Sequence, residues 1–174
     1  MIKILSLNAQ LLPSFARTSS VSIAEQARDL GDWLVAQRCD VICLQEVFSD
    51  SGATLLRDRL VAFHGHIALP YRVLVEDNGL LIASRYPFVG APAHHVWREA
   101  EHAHERASSK GFTHVTLDLS DSATPMLLGL TNLHMHADYE PHSFAGVRAR
   151  QIEQLRAALP HLVPADTDGL PFGL

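Results

Sequence analysis

Three groups of side chains have the types and spacing that chemistry uses. Asn8 follows an apolar run that starts at Ile2, and Glu46 ends a second run, Asp40-Val41-Ile42-Cys43-Leu44-Gln45-Glu46. An amide oxygen beside one carboxylate suits a hard divalent cation, which takes oxygen ligands and completes its shell with water and substrate phosphate. Taken alone, the pair reads more readily as a turn Asn and a Glu near a helix start. The second group is Asn132-Leu133-His134-Met135-His136-Ala137-Asp138. Residues two apart on a strand share a face, so Asn132, His134 and His136 are expected to point together at a strand's end. Two chemistries suit them. In one, His134 contacts a phosphate and stabilises the charge developing on it. In the other, His134, His136 and Asp138 form a His-x-His-x-Asp zinc cluster. The third group is cationic: Arg85 and Lys110 could each face a phosphate, and solvated surface charge is the alternative for either.

Particular elements must deliver these residues. Val41 to Leu44 is too short for a helix core and right for a strand buried on both faces. Ser22 with Glu25 is a capping-box signature, and Ala27, Leu30, Trp33 and Leu34 follow at helical spacing, so a helix is expected from about Ser22 to Gln37. A strand over Ile2–Leu7, that helix and the second strand make a βαβ unit with parallel strands, which sets Asn8 beside Glu46. A second helix is expected from a cap at Asp50 or Ser51 to about Phe63. Residues 71–75 and 80–84 read as a hairpin about Asp77-Asn78-Gly79. Residues 91–109, with histidines at 94, 95, 102 and 104, read as a surface excursion. Strands are expected over 112–119 and 126–136. A third helix is capped by Ser143, turns Ile152, Leu155 and Leu159 to one face, and stops at Pro160.

The totals narrow the class. A chain of 174 residues, 47% hydrophobic and 19% charged, is a globular domain of ordinary size and not a disordered segment. A net charge of −5 supplies no broad basic field, so bulk electrostatics does not favour nucleic acid, although a local basic groove stays open. Cys39 and Cys43 do not make a disulfide framework. No charged leader precedes a long apolar segment and no stretch is long enough to span a bilayer, so a cytoplasmic protein is expected.

The motifs also come in a telling order: Ile4-Leu5-Ser6-Leu7-Asn8, then Asp40 to Phe48, then Asn78-Gly79-Leu80-Leu81-Ile82-Ala83-Ser84-Arg85-Tyr86-Pro87, then Lys110-Gly111-Phe112, then Asn132-Leu133-His134-Met135. This order resembles the endonuclease/exonuclease/phosphatase superfamily, with its deoxyribonuclease-like fold, and within it the neutral sphingomyelinase branch. Arg150-Gln151 fits the same pattern. The resemblance implies an α/β fold, an incomplete four-layer sandwich of mixed sheets with outer helices. The family's Gly-Asp-x-Asn segment and final Asp-His pair are absent, so residues 1–163 read as a partial domain and 164–174 as an irregular tail. By resemblance, Glu46 is the main ligand of a magnesium ion (manganese or zinc being the alternatives) and Asn8 a second metal-site residue. His134 contacts the scissile phosphate, and Asn132, His136, Lys110 and Arg85 are further candidates for phosphate or site contacts. The implied activity is magnesium-dependent hydrolysis of a phosphodiester by water, sphingomyelinase-like or phospholipase C-like. A phospholipid head group is expected ahead of nucleic acid. Activity is expected to be impaired in this chain, because the family's usual histidine base is missing. The alternatives are a nuclease of the same superfamily, a zinc hydrolase on His134, His136 and Asp138, and a non-catalytic half-domain that self-associates through an exposed sheet face.

Overall fold

The two apolar runs become neighbouring strands. The computed structural model describes residues 1–13, 16–17, 20–69, 78–98, 100–101, 105, 108–120, 124–162 and 172–173. Strands β1 (Ile4–Leu11) and β2 (Val41–Val47) pair in parallel, with Asn8 opposite Gln45. Helix α1 (Ile23–Ala36) joins them, and the Ser22 hydroxyl accepts the Glu25 amide at 3.1 Å, satisfying one of the donors a helix start leaves open. Helix α2 (Asp50–Leu60) follows β2. Its cap is Ser49 rather than Asp50 or Ser51: Ser49 is still extended, and its Oγ accepts the Gly52 amide at 3.3 Å. Ala27, Leu34, Leu56 and Leu60 of the two helices close over Ile42 and Leu44 on the outer face of the sheet.

Strand β3 (His66–Ala68) and strand β4 (Leu81–Ser84) complete this sheet in the order β1-β2-β4-β3, with β4 antiparallel to both β2 and β3. The expected strand over 71–75 and Asp77 of the expected turn lie outside the described residues. The second sheet runs β5 (Phe88–Val96), β6 (Gly111–Asp118), β7 (Leu127–Leu133) and β8 (Phe172–Gly173). Its first three strands are antiparallel, and β8 joins β7 in parallel, so both sheets are mixed. The segment 164–174 is therefore not wholly irregular.

Residues 91–96 are strand, not surface excursion. Their pattern misleads because the His95 imidazole takes the place of an apolar side chain. His94 hydrogen-bonds Thr113 Oγ1 at 2.9 Å, and His95 stacks on Phe112 with ring centroids 4.8 Å apart. Helix α3 (Ala145–Ala158) also departs from expectation. Ser143 does not cap it; Phe144 is the N-cap residue, and Asp138 Oδ1 accepts its amide at 2.7 Å. The helix buries Val147 and Gln151, leaves Ile152 47% exposed, and runs into a 3-10 turn, Leu159–His161, that contains Pro160. It docks through amides as much as through apolar groups, so its apolar stripe pointed to the wrong face.

The sheets meet through Val41, Cys43 and Ile82 on one side and Val115 and Leu117 on the other. Toward the end of β2 the interface turns polar. Asn132 Nδ2 donates to the Leu44 and Leu81 carbonyls at 2.9 and 3.3 Å, and Gln45 Nε2 donates to Asn132 Oδ1 at 2.7 Å. Asn78 Nδ2 donates to the Phe112 carbonyl at 3.0 Å. Buried amides are tolerated here because each is paired. Beside this stitched region the inner face of β1 lies open: Ile4 is 45% exposed although its register partner Val41 is fully buried.

Candidate active site

The strand register brings Asn8 to Gln45, and Glu46 lies one residue on. There the backbone leaves the extended region, with φ +57° at Glu46. A residue without glycine's freedom rarely adopts this conformation. Successive strand residues face opposite ways, and the departure at Glu46 breaks that alternation. Gln45 reaches inward to Ser6 Oγ at 3.1 Å and Asn132 at 2.7 Å, while Glu46 Oε1 comes within 3.7 Å of His134 Nε2. Gln10, past Asn8, is also left-handed at φ +49°, and its amide donates to Asn8 Oδ1 at 3.0 Å. A carbonyl-type oxygen has a second lone pair, so Asn8 keeps an acceptor site.

His134 is held by its backbone. Its amide donates to the Gly111 carbonyl at 2.9 Å, and Trp97 Nε1 donates to the His134 carbonyl at 2.6 Å. Burial, with help from the Lys110 charge, pushes the imidazole down to about 4, against the opposing pull of Glu46 and Glu105. The ring is therefore neutral at pH 7, and 3.7 Å is too long for a hydrogen bond to Glu46. Its Nδ1 is buried and has no hydrogen-bond partner among the described residues.

The other candidates are placed less as expected. Strand β7 ends at Leu133, so the two-residue alternation lapses before His134. Asn132 points inward and fixes the end of β2 instead of lining an open site. His136 turns away: its amide donates to Gln151 Oε1 at 3.0 Å, its Nδ1 donates to the Ala137 carbonyl at 2.7 Å, and its ring lies 4.4 Å from that of Phe144. Asp138 is taken by Arg148, at 2.8 and 3.1 Å, and by the Phe144 amide. The zinc cluster is thus overturned, and among the described residues no three His, Cys, Asp or Glu side chains are grouped to hold a metal. Arg85 pairs with Asp40 at 3.1 Å and lies over the Phe63 ring. Because β4 runs antiparallel to β2, this is the far end of the sheet from Glu46. Lys110 is close enough to influence His134, but its Nζ is committed to Glu105 Oε1 at 2.7 Å, with the two side chains 9% and 2% exposed.

Glu105 escaped sequence reasoning. It sits in a polar stretch and gains its meaning from distant partners. Besides Lys110 it accepts the Tyr139 hydroxyl at 2.6 Å and the Ala137 amide at 3.5 Å. Burial works to raise its carboxyl, but Lys110 and Tyr139 outweigh this and hold it below the ordinary carboxylate value.

Among the described residues, what remains at the end of β2 is the Glu46 carboxylate, the Asn8 amide and the neutral His134 imidazole. Glu46 is 20% exposed and Asn8 is exposed, so this oxygen set fits a hard divalent cation that keeps several waters. Two mixed sheets face to face, with helices outside and such a site at one end, define a deoxyribonuclease-like α/β sandwich. The chain belongs to the Endonuclease/Exonuclease/phosphatase family, whose model matches residues 5–162. The activities in that name all cleave phosphate esters with water. No curated protein matches the sequence. Among solved structures, sphingomyelinase C from Streptomyces griseocarneus aligns with TM-score 0.75 and 23% identity, over 95% of this chain and 61% of that one. A doubly substituted beta toxin from Staphylococcus aureus with bound magnesium ions aligns with TM-score 0.73 and 16% identity, over 95% and 61%. D. rerio TDP2 complexed with a single-strand DNA product aligns with TM-score 0.61 and 16% identity, over 93% and 56%. The chain thus spans between 56% and 61% of the length of these three structures, and at such identities the likeness is one of fold. Among the described residues no helix is long and apolar enough to cross a membrane.

Proposed function

We propose that this chain carries the metal-holding part of a magnesium-dependent phosphodiester hydrolase site, sphingomyelinase-like in substrate class. The observation that carries the reading is Glu46 at the end of a buried parallel strand, with Asn8 on the adjacent strand and the His134 ring 3.7 Å from its carboxylate. Glu46 and Asn8 would hold the ion, which when bound offsets phosphate charge. His134, uncharged at neutral pH, presents a ring N–H that can donate to a phosphate oxygen without adding a cation to the site. Trp97 and Gly111 hold that ring in place through its backbone. The motif order that resembles the sphingomyelinase branch and the net charge of −5 support a lipid head-group ester over nucleic acid.

With one carboxylate at the site among the described residues, the chain is expected to bind magnesium weakly and to turn over slowly. Titration calorimetry with Glu46→Ala checks the site: affinity is expected to fall at least about tenfold, ~1.4 kcal/mol. Unchanged magnesium binding in that variant would overturn the assignment. Assaying sphingomyelin vesicles and single-stranded DNA side by side separates the two substrate classes. Fast metal-dependent turnover that Glu46→Ala abolishes would confirm the hydrolase and refute the impairment.

The open inner face of β1 supports self-association of this chain. Sedimentation velocity is expected to show concentration-dependent dimers, weakened in Ile4→Lys. A monomer at every concentration would contradict this.

A further inference from the structure

We propose that Tyr139 is a positioning residue for His134, acting through the buried carboxylate of Glu105. The inference rests on the role given to His134 above. Strand β7 ends at Leu133, and beyond the bond from the His134 amide to the Gly111 carbonyl of β6 the segment up to α3 belongs to no named strand. Side chains from elsewhere hold it instead: Trp97 at His134, Gln151 and Arg148 at His136, and Glu105 at Ala137 and Tyr139. Glu105 differs from the others in being a nearly inaccessible charge that takes all three donors on one oxygen, Lys110 Nζ at 2.7 Å, Tyr139 OH at 2.6 Å and Ala137 N at 3.5 Å. Lys110 directly precedes Gly111, whose carbonyl receives the His134 amide. One carboxylate therefore ties the chain on both sides of His134: through Lys110–Gly111 before it and through Ala137 and Tyr139 after it. Hydrogen bonds to a charged acceptor are the strong ones, and a buried charge resists losing them.

Tyr139→Phe removes one hydroxyl. It leaves the Lys110–Glu105 pair and the aromatic contacts of residue 139 with His136 and Phe144 in place. The test is a carbon-13 imidazole NMR spectrum of the full chain, with the His134 signal assigned by its loss in His134→Gln. In Tyr139→Phe, and more so in Glu105→Gln, the His134 ring signal is expected to shift or split. The buried rings of His64 and His114 should stay where they are, and the magnesium dissociation constant should change less than about twofold, well under 1 kcal/mol. Where phosphodiester turnover is measurable, kcat is expected to fall about tenfold at unchanged KM, as for a misplaced group. An unmoved His134 signal in both variants would overturn the proposal, and so would equal shifts of all three rings. A shifted His134 signal in a chain whose magnesium binding ignores Glu46→Ala would uphold the positioning and defeat the hydrolase reading.

Discussion

Gly111→Ala is expected to cost at least about 3 kcal/mol of folding stability, near the upper end for a single substitution. A Cβ at this position would lie 1.7 Å from the His95 carbonyl oxygen and 3.0 Å from Val96 Cα. Both are backbone atoms of the paired strand, so no flexible side chain can yield. Strands β5 and β6 would have to part at the Val96–Gly111 pair. The His95–Phe112 stack would go with them, and so would the Gly111 carbonyl that anchors His134. The glycine of Lys110-Gly111-Phe112 is thus explained by steric approach of two backbones. Urea unfolding checks the figure, with Gly65→Ala as control: nothing lies within 4 Å of a Cβ there, and that change is expected to stay within about 0.5 kcal/mol. Equal midpoints for the two variants would refute the account.

Acid is expected to destabilise the fold well before its carboxylates titrate. The folded-state value of His134 is about 4, against an ordinary 6.5. Between those values the unfolded chain binds a proton that the folded chain refuses. Stability is therefore whole above about pH 6.5, falls as pH drops through that window, and is fully lost below about pH 4. Integrated, the effect is on the order of 3 kcal/mol for His134, of which about 2 falls between pH 7 and pH 5. Burial also lowers His64, His94 and His114, and these add with the same sign. Glu105, held below its ordinary value, contributes stability that is lost at lower pH still. Urea midpoints at pH 7 and pH 5 measure the fall. His134→Gln is expected to shrink it by about 2 kcal/mol, since no proton can then bind at 134. The same pH dependence in wild type and variant would show that His134 accepts its charge in the folded state without penalty.

The front of the chain was legible because its signals are local. The Ser22 cap and the runs into Asn8 and Gln45 are written in neighbouring residues, and a βαβ unit has only one common arrangement. That was enough to set Asn8 beside the end of β2, with Glu46 the next residue after its partner. What failed to read depends on distant partners. His95 looks like a surface residue until Phe112 is across from it. Glu105 is an unremarkable acid until Lys110 and Tyr139 close on it. Arg85 follows a strand that the sequence places correctly, but the direction of that strand puts it at the wrong end for a phosphate. The alternation through Asn132, His134 and His136 was real only as far as Leu133, because a strand's period ends where its hydrogen-bonded partner ends.

Under the metal-holding role proposed for Glu46, its left-handed backbone sets a conflict between fitness for folding and fitness for function. A non-glycine residue held there carries a penalty of about 1 kcal/mol or more, and glycine or asparagine would relieve it. Selection for thermostability alone would therefore drift toward Gly or Asn at position 46 and discard the carboxylate on the way. A position where the more stable residue is the chemically useless one is a place where an acid persists only under selection for what it does. Any stabilised version of this chain should be made with position 46 held fixed.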